Sequence, residues 1–118
     1  MKENLGFYLT KSEAQVMQVL WRSEEPITQH EIIERATQAG ELTFKDRSIF
    51  ILLNNLLDKG LVEQVGMYRC GRSYGRTFRP SMSRAEWYAR VVYNALDAKE
   101  LKVFRHTMCE LDKDNTTT

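Results

Sequence analysis

The sequence predicts a mainly α fold with one small β-hairpin, followed by further helices (an α+β chain). Three observations predict it. Two four-residue capping patterns, Thr10-Lys11-Ser12-Glu13 and Thr28-Gln29-His30-Glu31, each precede a run with apolar residues at helical spacing. A third such run ends at Gly60. Two short extended segments, 61–68 and 76–79, then flank Gly71 and Gly75 before Pro80.

In the first helix, Val16, Met17, Leu20 and Trp21 form one apolar face, and Pro26 ends the run. The second has a shorter face of Ile32, Ile33 and Ala36 and stops at Gly40. The third spans roughly Lys45 to Lys59, with Ile49, Leu52, Leu53, Leu56 and Leu57 as its core stripe. After the hairpin, Ser83 opens a second helical region. One stripe there is Trp87, Tyr88, Val91, Val92 and Ala95; another is Leu101, Phe104, Met108 and Leu111. A break at Asp97 or Ala98 and one continuous helix both fit the spacing. The chain divides into a first unit over residues 7–80, a helical region over 81–112, and a polar tail over 113–118 that is expected to be disordered. Three short helices followed by a hairpin is the order of a winged helix-turn-helix, in which the third helix enters a major groove and the hairpin lies along the backbone.

The chain has 118 residues, 17 basic and 16 acidic, for a net charge of +1. This is one modest domain with an appendage and an ordinary apolar content. It contains no apolar run of the ~18 residues that a membrane span needs. Met1-Lys2-Glu3-Asn4 leads into no apolar signal segment. Two cysteines are too few for a disulfide scaffold or a four-ligand zinc site. A reducing cytoplasm is the expected home.

Charge distribution says more than net charge. Between Glu63 and Glu86 there is no acidic residue, and five arginines occur: Arg69, Arg72, Arg76, Arg79 and Arg84. A hairpin so charged can meet phosphates or reach into a minor groove; a solvated basic loop is the plain alternative. At about 100° per residue, Arg47, Ile51, Asn54, Asn55 and Asp58 of the third helix point away from the core, with Ser48 at the edge. Arg pairs with guanine, Asn with adenine, and an aliphatic group touches a thymine methyl. An exposed Ile51 suits such a face better than it suits open water. Phe50 lies at the flank, where packing against the hairpin is the alternative.

Chemistry-bearing residues are otherwise sparse. There is no Gly-rich phosphate loop or nucleophile elbow, so no enzyme is expected. His30 reads as a surface residue. His106 and Cys109 lie three apart on a helix, but two ligands are not a metal site. Cys70 among arginines has a favoured thiolate, and a spare exposed thiol is the simpler reading. No cofactor or metal is expected.

These residues resemble a known family. Leu9-Thr10-Lys11-Ser12-Glu13-Ala14-Gln15-Val16-Met17 through Leu20-Trp21 is similar to the opening helix of the penicillinase-repressor family. Pro26-Ile27-Thr28 with Glu31-Ile32 resembles the start of its second helix. Ser48, Leu52-Leu53-Asn54 and Leu56 through Val62 resemble its recognition helix and exit. Gly75 through Pro80 and Ser83 through Trp87 resemble its wing return and first C-terminal helix. The resemblance covers about residues 7–90. It implies a winged helix-turn-helix, dimeric repressor of a β-lactam-resistance or related promoter. It also implies a sensor protease or other inducing protein as a partner. This chain has Ser48, Phe50 and Ile51 where the family usually has polar residues, so no operator sequence carries over. Its wing is longer and richer in arginine, and its C-terminal region is shorter. No Asn-Phe cleavage site and no cysteine-rich copper motif occurs.

The expected DNA contacts are then Arg47, Ser48, Ile51, Asn54 and Asn55 to bases, and Lys45, Arg69, Arg72, Arg76 and Arg79 to the backbone of a double-stranded operator. The expected homodimer seam is Trp87, Val91, Leu101, Phe104 and Met108. The alternative is a protein-interaction module that docks through Phe50 and Ile51 without sequence-specific DNA binding.

Overall fold

The computed structural model describes residues 8–40, 42–70 and 73–116. The elements run α1 (Lys11–Arg22), β1 (Ile27–Thr28), α2 (Gln29–Ala39), a 3₁₀ turn (Asp46–Ser48), α3 (Ile49–Asp58), β2 (Val62–Cys70), β3 (Ser73–Pro80), α4 (Arg84–Ala95) and α5 (Ala98–Thr116).

Both capping patterns form full boxes. The Thr10 hydroxyl accepts from the Glu13 N–H, and Glu13 reaches back to the Thr10 N–H; Thr28 and Glu31 repeat the arrangement. Each box satisfies two otherwise orphaned donors and fixes where the helix starts. α3 ends differently. Gly60 has φ 75, the Gly60 N–H donates to the Leu57 carbonyl, and the Leu61 N–H donates to that of Leu56. This Schellman turn needs the left-handed conformation that glycine adopts without a Cβ penalty. It sends the chain directly into β2.

The core is one cluster. Val16, Met17 and Leu20 of α1, Ile32 and Ala36 of α2, and Ile49, Leu53 and Leu56 of α3 meet Leu61, Val62 and Phe78 beneath the sheet. Trp21, Ile33 and Leu57 are only partly buried at its margin. The sheet has three antiparallel strands in the order β1-β3-β2. The predicted hairpin is therefore joined by a third, two-residue strand, with Ile27 opposite Phe78 and Thr28 opposite Thr77. β2 and β3 pair from Val62/Pro80 to Cys70/Ser73, longer than the expected segments, with an irregularity between Gln64 and Gly66. Such a bulge increases local twist.

The C-terminal region divides after α4. Leu96 is extended, and Asp97 opens α5 by accepting from the Glu100 N–H at 2.8 Å while Glu100 accepts from the Asp97 N–H at 3.1 Å. Of the two arrangements that fitted the spacing, the break at Asp97 is the one formed. The polar end corrects an expectation. Residues 113–116, read as part of a disordered tail, continue α5. No proline or glycine interrupts them, and Lys113 in the last turn lies 3.5 Å from Glu110. A basic group there also suits the helix dipole.

Candidate nucleic-acid interface

The placement of α3 begins with the loop before it. The Thr43 N–H and hydroxyl both donate to Gln15 Oε1, at 2.9 and 2.8 Å, and the Ser12 hydroxyl donates to the Thr43 carbonyl at 3.2 Å. Leu42 and Phe44 pack on the core. The loop is thereby fastened to α1. Lys45 is extended, and the Ser48 N–H donates to its carbonyl at 2.8 Å, which closes the 3₁₀ turn. Because that turn winds more tightly than an α-helix, the 100° angular reading holds from Ile49 onward and not for Arg47 and Ser48.

From Ile49 the two faces separate cleanly. Ile49, Leu52, Leu53 and Leu56 are buried, whereas Ile51 is 60% exposed and Phe50 is 51% exposed. Asn55, Asp58, Lys45 and Arg47 are exposed; Asn54 and Ser48 are half-exposed. Ile51, Asn54 and Asn55 thus lie off the buried face of α3, and Arg47 and Ser48 lie in the turn that leads into it.

The far end of α3 is locked by an ion pair that sequence reasoning missed. Lys59 Nζ donates to Glu13 Oε1 at 2.6 Å and to the Tyr8 carbonyl at 3.1 Å. Glu13 is 1% exposed and is also the α1 capping-box residue. Burial pushes its carboxyl up. The Lys59 hydrogen bond, the Thr10 N–H, the Lys59 charge and the Thr10 hydroxyl outweigh burial and hold it below the ordinary Glu range. One carboxylate therefore joins the start of α1 to the end of α3. The capping pattern signalled Glu13, but nothing in the local sequence signals a partner 46 positions away.

The hairpin arginines divide. Arg79 pairs with Glu63, directly opposite on β2. The last arginine of the hairpin is thus engaged by the acid at the edge of the acid-free window. Arg76 lies over two aromatic rings, with its guanidinium carbon 5.6 Å from the Phe50 centroid and 5.4 Å from that of Phe78. Its Nη1 donates to Gln64 Oε1 at 3.4 Å. The expected alternative for Phe50, packing toward the hairpin, is thereby in part realised. Arg69 stands opposite Tyr74 in the backbone register. The side chains of Arg69 and Cys70, and all of Gly71 and Arg72, lie outside the described residues.

The expected seam is only partly free. Trp87 packs on the core of its own chain, 5.6 Å from the Trp21 ring and 4.9 Å from that of Tyr88. Trp21 Nε1 donates to the Met82 carbonyl at 3.0 Å, which brings α4 to that ring. Trp87 thus serves first to dock α4 on the winged unit. Leu101 and Val91 are half-exposed, while Phe104, Met108 and Leu111 are exposed on one stripe of α5 at spacings of three and four.

His30 and His106 sit in exposed pairs with Glu34 and Glu110, and Cys109 is an exposed free thiol. Among the described residues no group of three His, Cys, Asp or Glu side chains could hold a metal ion, and no helix is long and apolar enough to cross a membrane.

Three helices, a Schellman exit and a three-stranded wing define a winged helix-turn-helix. The match with known families agrees. Residues 9–114 match the penicillinase repressor family, and the chain belongs to it. That is a family of DNA-binding transcriptional repressors. No curated protein matches the chain.

Proposed function

We propose that this chain is a dimeric repressor that occupies a two-fold symmetric operator and needs no cofactor. One observation carries the reading: α3 buries Ile49, Leu52, Leu53 and Leu56 and leaves Ile51 and Asn55 exposed and Asn54 half-exposed, after a turn that exposes Arg47 and beside a basic hairpin. Arg47 and the two asparagines supply donors and acceptors for base edges, Ser48 adds a hydroxyl at the rim, and Ile51 supplies an apolar contact for a thymine methyl. Lys45, Arg69 and Arg72 are the backbone contacts. Arg79 joins them only when it leaves Glu63. Residues 7–80 are the DNA-binding unit, and 81–112 carry dimerisation through Val91, Leu101, Phe104 and Met108. Two recognition helices related by a two-fold axis read half-sites about one helical turn apart. Such a repressor acts where the DNA is, in the cytoplasm. A sensor protease or another inducing protein is the expected release partner.

The exposure of Phe50 and Ile51 favours one competing reading, a module that docks a protein through these two side chains. Selection of duplexes from a random pool by the full chain separates the two. The repressor reading expects one palindromic sequence to be recovered. A docking module recovers none.

A further inference from the structure

β3 alternates across the sheet, so Phe78 and Arg76 share a face. Phe78 is fully buried in the core, and Arg76 stands two residues farther along, where the core ends and the hairpin projects. There its guanidinium lies within about 6 Å of two ring centroids, the reach of a cation–π contact. One ring belongs to the buried sheet. The other, Phe50, belongs to the first turn of α3. Gln64, opposite Phe78 in the register, holds Nη1 from the side. Arg76 is half-buried, unlike exposed Arg79.

The geometry points to Arg76 as a positioning residue: lying over the rings of both Phe78 and Phe50, it ties the hairpin to the recognition helix and so sets how α3 sits in the groove. This rests on the repressor reading. A guanidinium suits the position, because its flat, delocalised charge can lie over an aromatic face. A lysine ammonium carries the same charge but has no plane to stack. Phe50 is adjacent to Ile51, so fixing that ring fixes the start of the reading face. A base-reading surface tolerates displacements of only about half an ångström. Arg76 therefore acts mainly on sequence discrimination, whereas an arginine that only meets phosphate acts on affinity for every duplex.

Arg76→Lys, Arg76→Ala and Phe50→Leu separate the two roles. Each full-length variant is first matched to the native chain by thermal melting. Binding is then measured on the duplex recovered from the random pool and on a scrambled duplex, across a salt series. A positioning role predicts that all three variants lose about five-fold in the ratio between the two duplexes. Arg76→Lys keeps the native salt slope. If Arg76→Lys instead behaves as native, while Arg76→Ala weakens both duplexes equally and flattens the slope by about 0.9 per chain, Arg76 is a phosphate contact and the proposal is overturned. A second readout needs no DNA. In the free protein the Arg76 Hδ and Hε signals lie upfield through the ring currents, and Phe50→Leu moves them back. Random-coil positions unaffected by Phe50→Leu overturn the clamp even if DNA binding stands. A native chain that distinguishes no duplex overturns the repressor reading and the role of Arg76 in discrimination together, while the Arg76 signals still decide whether the clamp exists.

Discussion

Replacing Glu13 with Gln tests how the scaffold holds α3 in place. The glutamine carbonyl still accepts the Thr10 N–H, so the capping box survives in part. What is lost is the charge facing Lys59 at 2.6 Å in a site that is 1% exposed. A hydrogen bond to a charged group contributes about 1.5–3 kcal/mol, and a neutral acceptor keeps about 1 of that. The net cost is about 0.5–2 kcal/mol, or roughly 2–8 °C in melting temperature for a domain of this size. The pH dependence follows from the direction of the shift. The folded carboxyl titrates below its ordinary value of 4.5, so its contribution is complete above that value and is lost as pH falls through the lower, folded one. Thermal melts at pH 7 and in steps toward pH 2 should therefore show the native and Glu13→Gln curves converge in acid. Lys59→Met should cost more, about 3–5 kcal/mol, because it leaves Glu13 buried without its cation, and adding Glu13→Gln should recover part of the loss. Equal melting temperatures at pH 7, or a gap that persists undiminished in acid, would refute the reasoning.

Three further outcomes are expected. Asn54→Ala should change which base is preferred at one position of the recovered operator by about 1–3 kcal/mol in binding assays; equal losses on every duplex would remove Asn54 from base reading. Glu63→Gln should release Arg79 to phosphate and steepen the salt slope by about 0.9 per chain, at a stability cost under about 1 kcal/mol because both partners are exposed; an unchanged slope means that Arg79 does not reach the backbone. Phe104→Lys with Met108→Lys should convert the dimer to a monomer in sedimentation while leaving the melting of the winged unit in place, since both side chains stand clear of the core; a dimer that persists moves the seam off α5.

Much of the fold was legible because its signals are local. Thr10/Glu13, Thr28/Glu31 and Gly60 fix helix ends within four residues of themselves, and the stripe from Ile49 to Leu56 fixes which face of α3 turns inward. β1 was not legible, since Ile27 and Thr28 become a strand only through pairing with Phe78 and Thr77. The polar residues 113–116 misled, because composition without a helix breaker does not end a helix. Of the candidate interface, the outward set on α3 followed from angle alone. The fates of the arginines did not. Whether Arg79 meets Glu63, and whether Arg76 meets Phe50, depend on cross-strand register and on a bulge near Val65, which composition does not encode. The packing of Trp87 against the core is of the same kind: its partner, Trp21, lies on another helix.

The central claim is tested most directly by fluorescence anisotropy of the full chain on the duplex upstream of its own gene, against a scrambled duplex, across a salt series. A dimeric repressor binds the native duplex alone tightly, with two chains per site. Lys45, Arg69 and Arg72 of each chain give a salt slope approaching about −5. Weak binding of equal strength to both duplexes, with a shallow slope and a second protein captured through Phe50 and Ile51, would contradict it.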